Sequence, residues 1–306
     1  MGSILFRVGK TPKSSKIRNP LPEAESLGWA QDARVQCREA ECGATRGLHL
    51  ALDVPSTKME RRVGLARALS KLGHCSRSAA YHLISEGRVR LNGRVQRNPE
   101  AGVRLASDHI EVDGSNVEPP GKVYLLLNKP RGVVTTASDE KGRTTVYEYV
   151  NKRLPWVAPV GRLDQASEGL LLLTNDSEWA AQVSAPETHL DKTYHVQVAT
   201  VADEELVARI LEGVTTLDGD RLRAKHARIL RGGKKNTWLE IVLDEGKNRH
   251  IRRMLAGMGV EVLRLVRVQV GSLELGDLAK GSTRSLTLHE KKKLDIAMQS
   301  RVAASK

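Results

Sequence analysis

The sequence predicts an α+β protein: a small helix, helix, hairpin unit, then a larger domain built on a mixed, largely antiparallel sheet. Three observations carry that expectation. At 306 residues the chain has room for about two domains of roughly 100 to 200 residues. After residue 122, strand-like runs outnumber helical ones and several neighbours are joined by short turns, which favours antiparallel pairing over a doubly wound sheet. Neither a Walker loop nor a GxGxxG fingerprint occurs, which weighs against nucleotide hydrolysis and dinucleotide binding.

Residues 1–58 hold Pro12, Pro20, Pro22 and Pro55 and no apolar period sustained over two turns. They read as a disordered or weakly ordered extension, and Met59 offers an alternative start. The small domain is expected over 59–114. Leu65, Ala68, Leu69 and Leu72 fall at helical spacing up to Gly73, and Ser76 is placed to cap a second helix carrying Ala79, Ala80, Leu83 and Ile84. Val89, Leu91 and Val95 then alternate around Asn92-Gly93, a tight-hairpin signal. Residues 115–122, with Pro119-Pro120, read as a linker. The larger domain, 123–288, offers strands over 123–128, 157–160, 170–174, 192–199, 238–243 and 262–270, and helices over 204–212 and 248–258. Residues 289–306 read as a basic tail, a frayed helix.

Lys and Arg total 49 against 36 acidic residues, a net charge of +13, so a polyanion is the first partner to consider. Between Arg61 and Arg97 stand nine basic residues and one acidic, Glu86. A generic surface mixes its signs, whereas a one-sided set of cations answers a lattice of phosphates. Arg62, Arg67, Lys71, Arg77, Arg88, Arg90 and Arg94 are therefore candidate RNA contacts, with a solvated basic face as the alternative. Cys37, Cys42 and Cys75 fit neither a disulfide framework nor zinc-site spacing, which points to a cytoplasmic protein without a structural metal. No apolar run approaches 18 residues, so membrane and secreted readings are excluded.

Three segments could carry chemistry. The polar run Gly161-Arg162-Leu163-Asp164-Gln165-Ala166-Ser167-Glu168-Gly169 lies between two apolar strands, a rigid setting for a reactive group. Asp164 is its candidate, although a loop carboxylate is also a common turn residue; Arg162 could stabilise it or contact phosphate, and the spacing leaves the role of Glu168 open. In the second segment, Lys247 to Met258, helical spacing puts Ile251, Met254, Leu255 and Met258 on one face and Arg249 and Arg253 nearly opposite. Arg249 and Arg253 then suit phosphates, with a solvated helix face as the alternative, and Lys247 beside them is a further candidate RNA contact, whereas Arg252, on the flank of the apolar stripe, could pair with a carboxylate. The third is Lys192-Thr193-Tyr194-His195-Val196-Gln197-Val198, where alternation groups Tyr194 with the apolar set, either as a core tyrosine or as the floor of a base pocket.

Val160-Gly161-Arg162-Leu163-Asp164 leading into Gly169-Leu-Leu-Leu-Leu-Thr174-Asn175-Asp176 resembles the catalytic motif of the RsuA-type ribosomal RNA pseudouridine synthases. The blocks Tyr124 to Gly132, Lys192-Thr193-Tyr194 and Glu245 to Met254 are similar to further blocks of that family, in the same order, and the basic unit before them resembles the S4 RNA-binding domain. The resemblance covers about residues 60–288 and implies a catalytic domain of pseudouridine synthase type acting on a uridine of ribosomal RNA. It implies that Asp164 is the essential carboxylate, as nucleophile or as base at the sugar, that Arg252 pairs with it, and that Tyr194 stacks on the flipped base. It implies no cofactor and no metal, and a monomer is expected. It leaves open which ribosomal subunit and which uridine are involved. A non-catalytic RNA-binding protein and a hydrolase of free nucleosides are the competing readings.

Overall fold

Turn and cap chemistry place the first elements. In the computed structural model, which describes residues 62–216 and 218–304, the strand pair β1 (Val63–Gly64) and β4 (Gly102–Val103) lies beside helices α1 (Leu65–Lys71) and α2 (Arg77–Ser85). The expectations for residues 1–58 and Met59, with Cys37 and Cys42, lie outside the described residues. Ser76 caps α2 by accepting the Ala79 amide at 3.1 Å. Gly73, just past α1, has φ +65°, and a Cβ there would come within 2.9 Å of the Pro120 ring; both conditions call for glycine. Asn92 and Gly93 take φ of +51° and +78° between β2 (Val89–Leu91) and β3 (Arg94–Val95), as a type I′ turn requires. With β5 (Ile110–Val112) and β6 (Ser115–Asn116) they form a four-stranded sheet in the order β3-β2-β5-β6. Leu65, Leu69, Ile84, Val89 and Val103 are fully buried beneath it, each contributing roughly 1.5–3 kcal/mol of apolar burial.

The stretch 115–122 is only in part a linker. Ser115 and Asn116 complete the small sheet as β6, because their backbone groups find partners in β5. A few residues later Asn175 accepts the Val123 amide at 2.8 Å and donates to the Gly121 carbonyl at 2.9 Å. The described residues belong to one compact unit: the Trp156 amide donates to the Gly73 carbonyl at 2.8 Å, and Lys71 faces Glu178 at 3.7 Å.

The larger domain is organised by β7 (Tyr124–Lys129), β8 (Ala158–Val160), β9 (Glu168–Thr174) and β10 (Lys192–Val198), with helices α3 (Ser177–Ser184) and α4 (Glu204–Glu212) between and after them. The small hairpin β11 (Val214–Thr215) and β12 (Arg221–Leu222) follows, then β13 (His226–Gly232), β14 (Thr237–Leu243), α5 (His250–Gly257), β15 (Val262–Val270), β16 (Leu273–Glu274) and β17 (Thr283–Ser285). Among the described residues nine of these strands make one sheet, running β13-β14-β10-β15-β9-β7-β17 with β16 on β15 and β8 on β9. Only β15 with β9 is parallel, so the sheet is mixed and largely antiparallel. β9 is buried along its whole length, the pattern of a strand covered on both faces. β10 and β14 send Val196, Val198, Leu239, Ile241 and Leu243 to a core shared with α4 and α5.

The last element corrects an expectation. Residues 288–304 form helix α6 (Leu288–Ala304), which is packed rather than frayed: Leu294 and Met298 are buried against Trp179 and Leu190, and the Trp179 indole donates to Asp295 at 2.9 Å. Leu294 and Met298 stand four apart, so a single apolar line survives inside a lysine-rich composition. β13 lies outside the expected strands, since its alternation rests only on Ala227 and Ile229 between cations.

Candidate active site

The loop carrying Asp164 joins β8 to β9 and is fixed through its backbone. At its far end Gly169 has φ +101°, and a Cβ there would lie 2.2 Å from the Arg267 carbonyl oxygen, so only glycine lets β9 run beside β15 in this register. Beneath the loop, Lys129 closes β7 with a fully buried side chain. Its Nζ donates to the carbonyls of Ser167 at 2.8 Å, Asp164 at 3.1 Å and Pro130 at 3.2 Å. Burial pulls the Lys129 ammonium down to about 8, against the opposing charges of Asp164 and Glu168. On the other side Thr135 Oγ1 donates to the Leu163 carbonyl at 2.8 Å and the Gly132 amide to that of Gln165 at 2.7 Å. The polar loop is thus clamped at Leu163, Asp164, Gln165 and Ser167 while the Asp164 side chain stays exposed.

Asp164 opens onto a cavity of about 550 Å³ whose lining includes Arg162, Ser167, Tyr194, Lys247 and Arg249. Its carboxylate makes no hydrogen bond or ion pair with another side chain among the described residues. Tyr194 is half-buried and packs against both the core behind β10 and the cluster around Leu127, Leu163 and Leu171, so its ring is held at the meeting of two apolar clusters. The strand therefore brings together the two side chains, Asp164 and Tyr194, that the sequence singled out separately.

Arg252 lies close by but differs from expectation. It shares a neighbouring recess with Asp164, Arg131 and Arg249, yet its guanidinium donates to the Ala166 carbonyl at 3.2 Å and the Val262 carbonyl at 3.3 Å. No ion pair joins it to Asp164 among the described residues; its Nε is buried without a partner. The flank position on α5 is as read, but backbone carbonyls come within reach before the carboxylate does. Burial lowers the Arg252 pKa, and the Asp164 charge opposes that shift, so the two residues interact through the field and not through contact.

Two polar groups missed in the sequence complete the cavity. Arg267 on β15 is buried, donates Nε to the Leu170 carbonyl at 2.7 Å and is among the residues lining the cavity. Ser167 Oγ, buried in the same wall, has no hydrogen-bond partner. A cation inside the apolar alternation of β15 and a lysine ending the apolar run of β7 were the signals available for Arg267 and Lys129. Glu168 has a different role from an acid catalyst. Its side chain is 3% exposed, paired with Arg264 at 2.7 Å and Lys280 at 2.7 Å. Burial alone would raise its pKa, but the hydrogen bonds from the two cations dominate and hold it near about 2. It is a permanent anion tying β9 to β15 and to the loop before β17.

The expected RNA contacts divide into free and spent cations. Arg62, Arg67, Arg77, Arg90 and Arg94 are exposed with no ion-pair partner among the described residues. Arg88 is held by Asp113 at 2.7 and 2.9 Å and by Glu86 at 3.3 Å. Arg253 is held by Asp218 at 2.9 Å and Asp220 at 2.8 Å. Lys71 faces Glu178, and Lys247 faces Glu245 at 3.2 Å. Helix α5 starts at His250, and Arg249 precedes it in the left-handed region at φ +48°. Arg249 therefore leaves the helical face shared with Arg253 and lines both recesses instead.

The sequence model described as RNA pseudouridylate synthase matches residues 123–257, and that described as S4 domain matches residues 63–117. The chain is 40% identical over 238 residues to "Ribosomal large subunit pseudouridine synthase B" of Bacillus subtilis (strain 168), covering 77% of this chain and 96% of that protein. It is 39% identical over 233 residues to an uncharacterized RNA pseudouridine synthase of Aquifex aeolicus (strain VF5), covering 76% and 92%. A solved structure described as "Crystal structure of pseudouridylate synthase" superposes with a TM-score of 0.54 at 28% identity, over 76% of this chain and 99% of that one.

Proposed function

The chain belongs to the RNA pseudouridine synthase family, and from that premise we infer that it converts a uridine of ribosomal RNA to pseudouridine with Asp164 as the essential carboxylate. One observation carries the reading: Asp164 presents an unpaired carboxylate at a cavity shared with Tyr194, on a loop locked by a buried ammonium. The reaction breaks the N1–C1′ bond, turns the uracil and joins C5 to C1′. The C5 proton leaves and N1 regains one, so the isomerisation is redox neutral and requires no cofactor. Asp164 acts at the sugar, as nucleophile or as base, in a site where preorganised charge counts for more than it does in water. Tyr194 supplies a ring face for the flipped base and a hydroxyl to help remove the C5 proton. Arg252 acts through Ala166 and through its field, as a positioning residue.

Extracting the base costs a few kcal/mol, so contacts remote from the uridine must offset it. Arg62, Arg67, Arg77, Arg90 and Arg94, free in the S4 domain, are suited to that footprint, with Arg162 and Arg249 lining the cavity. The name of the Bacillus relative ties that protein to the large ribosomal subunit, and by that likeness the substrate here is large-subunit RNA, met in the cytoplasm. Each chain carries Asp164, Tyr194 and Arg252 together, so a monomer suffices. A purely RNA-binding role would leave an unpaired carboxylate in the cavity with no purpose.

Purified protein incubated with ribosomal RNA carrying tritium at uracil C5 should release it to water, and Asp164→Asn should release none. Tritium release by the variant at the wild-type rate would sink the assignment of Asp164. No release by either protein would sink the activity.

A further inference from the structure

At the edge of the sheet farthest from the S4 domain stands a hairpin that the catalytic reading leaves unused. β13 and β14 are joined by a turn in which the Gly233 amide donates to the Asn236 carbonyl at 2.8 Å, with Lys234 and Lys235 exposed at its tip. Arg231, also exposed, places its guanidinium 5.2 Å from the centre of the half-buried Trp238 ring, and Arg264 lies 5.7 Å from it. Arg231, Lys234 and Lys235 have no ion-pair partner among the described residues. Two acids of that face are already neutralised, Glu240 by Arg228 at 2.6 Å with His195 at 3.5 Å, and Glu168 by Arg264 and Lys280. The acids of the first turn of α4, Asp203 to Glu205, belong to the helix packed on the opposite face. This face therefore offers three uncompensated cations around one of the four tryptophans in the chain, a combination suited to phosphates flanking a stacked base.

Its place in the fold gives that chemistry a use. β14 pairs with β10 from Thr237 opposite Val198 to Leu243 opposite Lys192, the end that meets the cavity. Six residues of extended strand separate the two ends, about 20 Å. The S4 domain touches the larger domain at Trp156 and Glu178, beside β8 and α3, whereas β13 is the opposite margin of the sheet. Resting on the reading of the chain as an RNA-modifying enzyme, we propose that the β13–β14 hairpin is a second RNA-binding site, in which Arg231, Lys234 and Lys235 hold phosphates and Trp238 stacks on a base or ribose. Trp238 pairs with Gln197 and stands on the sheet face opposite Tyr194, so RNA held at the cavity reaches the patch by passing over the β13 edge of the sheet.

The test is equilibrium binding of the full chain to a ribosomal RNA fragment across a salt series. Each phosphate contact removed lowers the slope of log K against log salt by about 0.7–0.9. The triple variant Arg231→Ala, Lys234→Ala, Lys235→Ala should lose about two units of slope and bind at least about tenfold more weakly near 0.1 M salt. Lys234→Glu with Lys235→Glu should lose more, and Trp238→Leu should weaken binding about tenfold with little change of slope. Arg228→Ala, whose guanidinium is already committed to Glu240, should change the slope far less than Arg231→Ala. Unchanged affinity and slope in the triple variant would overturn the proposal, as would equal slope changes at Arg228 and Arg231, which would mean a bulk charge effect. So would retained RNA binding with lost binding to vesicles containing anionic lipid, which would make the hairpin a membrane contact. If the wild-type protein releases tritium from RNA while these variants bind normally, the hairpin site falls and the enzyme reading stands. If the wild type neither binds RNA nor releases tritium, both fall.

Discussion

In the S4 domain, Arg62, Arg67, Arg77, Arg90 and Arg94 are exposed and form no ion pair among the described residues, whereas in the catalytic domain Lys129 and Arg267 are buried and spend their protons on carbonyl oxygens. The same residue types serve two physical ends. Exposed cations act additively and at a distance, and salt weakens them. Buried cations act as fixed donors whose removal strands the groups they served, and salt barely reaches them. Salt-sensitive attraction for a polyanion follows from exposed cations, and the geometry of the Asp164 loop follows from buried ones.

The sharpest way to break that contrast is Lys129→Met. Three carbonyls would lose their donor, each unmet acceptor costing about 1–3 kcal/mol, partly offset by the relief of an uncharged buried chain. We expect a net stability loss on the order of 3 kcal/mol in urea titration, with catalysis lost even where the variant is folded. A Met variant as stable and active as the wild type would show that the ammonium does not hold the loop.

Next in size is Glu168→Gln, which breaks the buried anion while leaving its cations. The cations paired with Glu168 hold its carboxyl down to about 2, below the ordinary glutamate value of about 4.5. Because the folded state holds the carboxylate below its unfolded pKa, this contribution is present in full above about pH 4.5 and is lost as pH falls toward 2. Its size is on the order of 3 kcal/mol. Acid unfolding of the wild type should therefore be steeper between pH 4.5 and 2 than that of the Gln variant, and coincident slopes would contradict the ion-pair assignment.

The smallest effects separate cations within the S4 domain itself. Arg94→Ala should lower the salt slope of RNA binding by about 0.7–0.9, whereas Arg88→Ala, already paired with Asp113 and Glu86, should leave it nearly unchanged. Equal changes at both would blur the division between free and spent charge.

Local features were legible in the sequence and long-range ones were not. Ser76 as a cap, Asn92-Gly93 as a turn and the polar run around Asp164 each declare themselves within a few residues, because capping, positive φ and strand boundaries are local physics. The partners of Lys129 lie 35 and 38 residues on, and Arg264 lies 96 residues from Glu168. No spacing rule brings those groups together; the register of β7, β9 and β15 does. Arg252 shows the boundary well. Helical periodicity puts it on the flank of α5, but whether it meets a carboxylate or a carbonyl depends on the path of the Ala166 backbone. In α6 the many lysines conceal the two apolar positions, Leu294 and Met298, that anchor the helix.

The most direct test of the role given to Asp164 is a map of pseudouridine in ribosomal RNA from cells lacking the gene, re-expressing either the wild type or Asp164→Asn. One modified position should disappear on deletion, return with the wild type and stay absent with the Asn variant, although that variant still binds the RNA. Persistence of every pseudouridine in the deletion strain, or restoration by Asp164→Asn, would contradict the account.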